Sequence, residues 1–439
     1  MSILEQFKTN PIKSNPIKTN SITLKLVIVG FLLFIFVPIL AQVEGLVEER
    51  EQRQHDTVSE VSEKWGGRQT IIAPVLVVPY THPSQQVRYA YFLPEELSID
   101  GAISSSVKSR DIYDVPLYES DLTFKGYFNQ PDFNRLNTGA ISVNWAQAKI
   151  YIGIPDMRGV TTRTSLTWRG QESAFSAGER DRFFETGLST PVVIDTVNPQ
   201  RYDYSFNLKL RGSQELYLMP TGNVTTANIT SNWSSPSFNG GFLPTNHEIT
   251  DKGFTANWSV LDLNRSFPQQ WSTDSELRFD TLVDGFGVEL FLPVDIYQQS
   301  MRSVKYGIGV ILLVFMTFFL VEVITKRRIH PLQYLLIGFA LTIFYTLLLS
   351  LSEYINFSYA YIIASIAIIT MVTLFSNSVM KNYKLGLATG GTLTLLYVFI
   401  YTLLQSQNYT LLMGSIALFV ILSVVMFLLR KVDFYKAEI

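Results

Sequence analysis

Ser105-Ser106-Val107-Lys108 sets a serine and a lysine at the S-x-x-K spacing, in which a lysine amine can activate a serine nucleophile. The partner motifs S-D-N and K-T-G are absent, and the segment reads as strand or loop, so a surface hydroxyl beside a surface amine is the better reading. Asp111 with Asp114, and Glu95 with Glu96, are carboxylate pairs of the kind general acid–base chemistry uses, but their polar surroundings mark them as solvated charge. Asp156-Met157-Arg158-Gly159 reads as a local ion pair in a turn. The four histidines, His55, His82, His247 and His330, are scattered, and the chain has no cysteine. Disulfides, thiol nucleophiles, cysteine-bound zinc and Fe–S clusters are therefore excluded. There is no G-x-S-x-G, H-E-x-x-H, G-x-x-x-x-G-K-[ST], or helix-opening G-x-G-x-x-G. No catalytic, cofactor-binding or metal-binding residue is assigned, and no cofactor is expected.

Composition explains why chemistry is so sparse. Hydrophobic residues make up 47% of the 439 and charged residues only 16%, against about 25% charged in soluble chains. The net charge of −2 gives no reason to expect a nucleic-acid partner. A membrane-spanning helix needs roughly 20 mostly apolar residues. Six stretches qualify: 24–41, 306–324, 332–351, 357–379, 385–404 and 411–429. Basic residues fall before the first run (Lys8, Lys13, Lys18, Lys25), between the second and third (Lys326, Arg327, Arg328), after the fourth (Lys381, Lys384) and after the sixth (Arg430, Lys431, Lys436). The alternate connections, 352–356 and 405–409, carry none. Six spans with both termini in the cytoplasm satisfy this pattern, with Arg302 and Lys305 as a minority against it. A cleaved signal peptide is the rival for the first run, but a cut after Ala41 puts Ile39 where a small residue is wanted, so an uncleaved anchor is expected.

The expected organisation is a basic lead-in over 1–23, a first span over 24–41, a periplasmic β-rich domain over 42–303, a five-helix block over 304–430 and a cytoplasmic tail over 431–439. Inside the spans no ionisable residue reaches mid-bilayer; Glu322 lies within a turn of Lys326–Arg328 and Glu353 near a helix end. Small and hydroxylated residues gather at Thr342, Tyr345, Thr346 and Ser350, and at Thr389, Gly390, Gly391, Thr392 and Thr394, as helix packing favours.

Over 44–65, Val43, Leu46, Val47, Val58, Val61 and Trp65 recur at helical spacing, and Gly66-Gly67 ends the pattern, which predicts a helical stalk. Beyond it the period becomes two. Residues 71–80, 87–92, 122–128, 149–154, 202–210, 224–233, 254–260 and 286–292 read as strands, with Pro74 and Pro79 marking an edge or strand ends. Asp100-Gly101, Arg211-Gly212, Thr221-Gly222 and Asp284-Gly285 read as turns. The expectation is an all-β, sandwich-like domain, of one lobe or of two divided near 171–200. Phe92-Leu93-Pro94 and Phe242-Leu243-Pro244 form a faint internal echo. The N-x-[ST] clusters over 223–234 and 257–266 read as polar strand faces.

Several of these segments together resemble the CreD family of inner-membrane proteins, also called cell envelope integrity inner-membrane proteins. The likeness covers nearly the whole chain in order. In the outer domain it rests on Tyr91-Phe92-Leu93-Pro94-Glu95, on Ile112-Tyr113 with Pro116 and Tyr118, and on Asp156-Met157-Arg158-Gly159. It continues through Trp233-Ser234-Ser235-Pro236-Ser237-Phe238, Gly241-Phe242-Leu243-Pro244, Gly253-Phe254 and Pro293-Val294-Asp295-Ile296-Tyr297-Gln298. It is strongest over His330-Pro331-Leu332-Gln333-Tyr334-Leu335-Leu336-Ile337-Gly338 and from Phe344-Tyr345 to Leu349-Ser350-Leu351-Ser352-Glu353. Asp111 departs from the pattern, which has a glycine there.

The resemblance implies a bacterial inner-membrane protein with a part in envelope integrity and in tolerance to stress, colicins and antibiotics, with no catalytic activity and no cofactor. The partners expected are the lipid bilayer and an envelope component or membrane protein touching the outer domain. A transporter or lipid-handling role for the helix block is the alternative.

Overall fold

The computed structural model describes residues 21–136, 140–178, 183–196, 201–275, 285–290, 296–325, 329–405 and 410–430. Lys8, Lys13, Lys18, Lys326, Arg327, Arg328, Lys431 and Lys436 lie outside them, as does Asp284 of the expected Asp284-Gly285 turn. The chain divides into a helical unit, residues 1–52 and 295–439, and a β unit, residues 53–294.

Helix α1, Ser21–Trp65, contributes to both units as one 45-residue helix, with Pro38 inside it. Gly66 and Gly67, at φ of +130° and +59°, release the chain after Trp65.

In chain order the β unit holds β1 (Gln69–Thr81), β2 (Val87–Phe92), β3 (Glu96–Arg110), β4 (Tyr113–Phe128), β5 (Ser142–Val143) and β6 (Lys149–Gly153). Then come β7 (Ser165–Trp168), β8 (Gln171–Ala174), β9 (Ser176–Ala177), β10 (Gly187–Pro191), β11 (Tyr202–Ser213) and β12 (Glu215–Leu218). The last are β13 (Val224–Ser231), β14 (Pro236–Gly240), β15 (Asn246–Thr250), β16 (Gly253–Leu261), β17 (Gln270–Ser272) and β18 (Phe286–Leu290).

These strands form two sheets. The first runs β14-β18-β12-β1-β6-β10-β9, with β2, β5 and β17 attached; the second runs β15-β16-β13-β3-β4-β11-β7-β8. Pairing is antiparallel except for β1 with β12 and β3 with β13. Inward residues of both sheets share one core, including Ile71, Ile152, Leu216 and Val288 from the first and Ile99, Leu122, Phe206 and Trp258 from the second. The first sheet is buried on its other face too, where Val75, Tyr91, Tyr151, Phe184 and Trp271 form a second cluster. This is why β1 reads as a nearly unbroken apolar run.

Three expectations need correction. Pro74 and Pro79 do not mark an edge or strand ends: β1 passes through both and is paired on each side. Pro74 sits where the register with β6 shifts between Ile72 and Val75, a bulge that tolerates the missing N–H. Asp100-Gly101 is inside β3, because a Cβ at Gly101 would collide with Ile229 and Leu122 of the core. Arg211-Gly212 is inside β11, where Gly212 makes room for the Tyr118 ring.

The internal echo has a structural meaning. Phe92-Leu93-Pro94 carries the chain from β2 in the first sheet to β3 in the second, and Phe242-Leu243-Pro244 carries it from β14 to β15, the same crossing.

The helical unit continues with α2 (Ile296–Lys305), α3 (Gly307–Thr325), α4 (Pro331–Ser352), α5 (Phe357–Met380), α6 (Tyr383–Gln405) and α7 (Thr410–Leu429). Among the described residues, four helices are long and apolar enough to cross a membrane (α1, α4, α5 and α6), and a fifth span arises if α2 and α3, bent by 40°, count as one. α7 is apolar throughout its described stretch, Leu412–Phe427. His330 and Gln333 form a capping box around Pro331, so the His330-Pro331-Leu332-Gln333 motif is the N-terminus of α4. A Cβ at Gly338 would strike the Phe36 ring, and one at Gly390 would strike Thr373; glycine there allows close helix contacts.

Candidate functional site

The residues with apparent catalytic spacing are kept apart. Ser105 and Lys108 lie three apart on β3, so they point to opposite faces of the sheet. The Ser105 hydroxyl lies 3.2 Å from that of Ser231, and the Lys108 ammonium lies 5.9 Å from the centre of the Trp65 ring. Asp114 accepts a hydrogen bond from Ser109 at 2.6 Å, and Glu95 accepts one from Asn223. Asp111 occupies the turn between β3 and β4 at φ +54°, a left-handed conformation that suits glycine and that aspartate tolerates. No cluster of three or more metal-ligating side chains exists among the described residues.

Asp156-Met157-Arg158-Gly159 builds a joint. The Arg158 guanidinium grips both oxygens of Asp156, at 2.9 and 2.7 Å. Hydrogen bonding from Arg158 holds the Asp156 carboxyl below the usual carboxylate range. The buried Gln69 amide donates to the carbonyls of Gly66 and Asp156, at 2.6 and 3.0 Å. Gly66 and Gly159 both press against the Arg211 carbonyl where no Cβ would fit. The Arg211 guanidinium stacks on the Trp65 ring at 4.6 Å. Val58, Val61 and Trp65 cover Val115 and Leu117 on the outer face of β4. The motif thus seats the end of α1 on the second sheet, and its chemistry is structural.

In the helical unit two acidic side chains clasp α1. Glu322 is fully buried and pairs with Lys25. It also accepts from the Ile329 N–H at 3.0 Å and from the Tyr334 hydroxyl at 3.3 Å. Its partner in the structure is therefore a residue of α1; the Lys326–Arg328 cluster expected to serve lies outside the described residues. Glu353 accepts from Tyr297 at 3.3 Å and lies 3.8 Å from Arg50. Lys25 and Arg50 are about 38 Å apart along the helix, close to the thickness of a bilayer with its interfaces.

The hydroxyls of the helix block bond to their own helices. Thr342 donates to Gly338, Thr389 to Leu385, Thr392 to Ala388 and Thr394 to Gly390, all at 2.8–3.1 Å. Their methyl groups are what they show to their surroundings.

The outer face of the second sheet has a different character. Beyond the strip covered by α1 lies a trough of about 820 Å³. Its floor is made of short side chains: Ala102 and Ser104 of β3, Thr230 and Asn232 on the β13 side, and Thr255 of β16. Lys209 and Asp121, paired at 3.2 Å, and Glu119 bound one side, and Glu248 and Lys252 bound the other. A hydrogen bond from Asn207, aided by Lys209, lowers the Asp121 pKa. Asn232 continues the sheet with its side chain, accepting from Ser105 N–H at 2.7 Å and donating to Ser105 O at 3.0 Å. No single feature of the sequence marks this trough; it exists only once strand register brings six strands together.

Comparison with known proteins gives a family. The family model described as inner membrane protein CreD matches residues 21–435. The inner membrane protein CreD of Escherichia coli strain K12 is 29% identical over 417 residues, covering 92% of each chain. The match takes in α1, the β unit and the helix block, so the chain belongs to the CreD family of inner membrane proteins.

Proposed function

We propose that this protein supports the integrity of the cell envelope without catalysing a reaction, and that its β unit does so from the periplasm by holding an envelope component. In this reading the chain crosses the inner membrane six times with both ends in the cytoplasm, and the periplasmic part is about 42–303. Tolerance to envelope stress, colicins or antibiotics follows from that role. The carrying observation is the polar trough on the second sheet, a concave surface with no catalytic set around it. Deleting the gene and measuring dye and β-lactam entry under envelope stress tests the reading. Increased entry, restored by the intact gene, is expected; unchanged entry refutes it.

A second reading, lipid handling by the helix block, draws on an apolar groove of about 310 Å³ between α1 and α4. Ile39, Val43 and Leu46 face Phe339 and Ile343 across it. Filling it with Ile343→Trp abolishes the barrier phenotype if this reading holds, and leaves it intact if the β unit alone acts.

A further inference from the structure

The outer face of the second sheet is built from the wrong residues for an ordinary solvated sheet. Between the Val224–Leu261 pair at one end and Ser106 and Lys108 at the other, the outward positions of its three neighbouring strands hold Thr226, Asn228 and Thr230 of β13, Thr255, Asn257 and Ser259 of β16, and Ser98, Asp100, Ala102 and Ser104 of β3. Nine of these ten are uncharged and all are short. Asparagine and aspartate disfavour strands. Yet register places Asn246, Asn257, Asn228 and Asp100 side by side across four strands, continued by Thr123 and Asn207. The side chains of those first four make no hydrogen bond to other groups among the described residues. Local preference is thus overridden at a row of three free amides and a free carboxylate, which is where functional surfaces are found.

We propose that this row, with the trough beside it, binds an extended, uncharged oligosaccharide lying across the strands. The inference rests on the reading that the β unit works outside the cytoplasm, and names the class of component held there. The row repeats at the strand spacing of roughly 4.8 Å, close to the length that one pyranose ring adds to an extended chain. Amides and hydroxyls both donate and accept, as sugar hydroxyls do, and Asp100 accepts from two hydroxyls at once. Short side chains lose little rotamer freedom when a ligand settles on them. A polyanion meets no excess of basic charge beside the row and trough, where Asp100, Glu119, Asp121 and Glu248 stand with Lys125, Lys209 and Lys252, and Lys209 is already paired with Asp121. A lipid chain finds no apolar side chain at those ten positions beyond Ala102. An extended peptide would seek strand-edge backbone, which a sheet face lacks.

The test uses the full chain in a detergent without a sugar headgroup. The probe is the hexamer of β-1,4-linked N-acetylglucosamine, titrated calorimetrically, with hexameric polyphosphate and an extended Ser/Gly peptide beside it. Saturable binding of the sugar alone is expected. N228V/N257V should lower its affinity at least about tenfold, while the unfolding temperature holds or rises, because valine is the better strand former. No saturable sugar binding, an unchanged affinity in N228V/N257V, or preference for the peptide or polyphosphate overturns the proposal. Failure here with a barrier defect on gene deletion removes the sugar alone. Sugar binding with no barrier defect removes the envelope reading and leaves the site.

Discussion

Asp111 shows how one residue meets a backbone demand. Its φ of +54° costs a β-branched side chain roughly 1–2 kcal/mol. Asp111→Val should therefore lower the stability of the β unit by that amount, and Asp111→Gly should leave it unchanged or slightly higher. All six tryptophans lie in the β unit, so tryptophan fluorescence during denaturant unfolding of the full chain reads this directly. Two carboxyl groups give opposite pH behaviour. Asp156 has a lowered pKa, through Arg158. Its contribution is present above the unfolded value of about 3.9 and is lost as pH falls through the folded one. Asp156→Asn should destabilise at neutral pH, the deficit shrinking in acid. Glu215 has a raised pKa, chiefly from burial, opposed by Arg68 and reinforced by Glu289, which stands directly opposite it on β18. Its folded form holds a proton more tightly, so that contribution is lost as pH rises from about 4.3 through the raised value. Glu215→Gln should raise the neutral-pH unfolding midpoint and leave the acid midpoint unchanged.

At the scale of the element, α1 is held by a charge with almost no solvent. Glu322→Gln keeps a hydrogen-bonding side chain but strands the Lys25 ammonium, which should cost about 3–5 kcal/mol. Lys25→Met with Glu322→Gln should recover most of it. Helix retention after mild protease treatment in detergent distinguishes the two variants. Much of this level is legible in sequence. Apolar length marks α1 and the helices of the C-terminal block, and the spacing from Val43 to Trp65 marks the helical stalk, because helix formation depends on neighbours three and four apart. What is not legible is pairing at a distance. Glu322 has three basic residues within reach in sequence, yet the partner it shows among the described residues is Lys25, 297 positions away. Gly101 looks like a turn because glycine usually is one; only the Ile229 and Leu122 side chains, brought in by β13 and β4, show that it is a space in a core.

At the scale of the whole molecule, the trough was written in the sequence as polar strand faces and no more. Its members come from β3, β4, β11, β13, β15 and β16, and one residue of slip would turn each set toward the core. The six-span reading makes a separate prediction here. Because the chain has no cysteine, single cysteines introduced at Asn356 and Asn382 can be labelled in intact cells. Asn356→Cys should react with a membrane-impermeant maleimide and Asn382→Cys should not; the reverse pattern would invert the assignment.

The Lys25–Glu322 pair also says something about how the chain is made. Its members are 297 positions apart, and the whole β unit is encoded between them. The ribosome emits Lys25 long before Glu322, so on the proposed six-span topology α1 would enter the bilayer as a solitary helix while the 242 residues of the β unit are threaded across ahead of its counterion. Closing the clasp is thus among the last acts of biogenesis. A nascent chain arrested before residue 322 should carry an α1 that insertion machinery still shields, and release of that machinery should coincide with synthesis of α3 and α4.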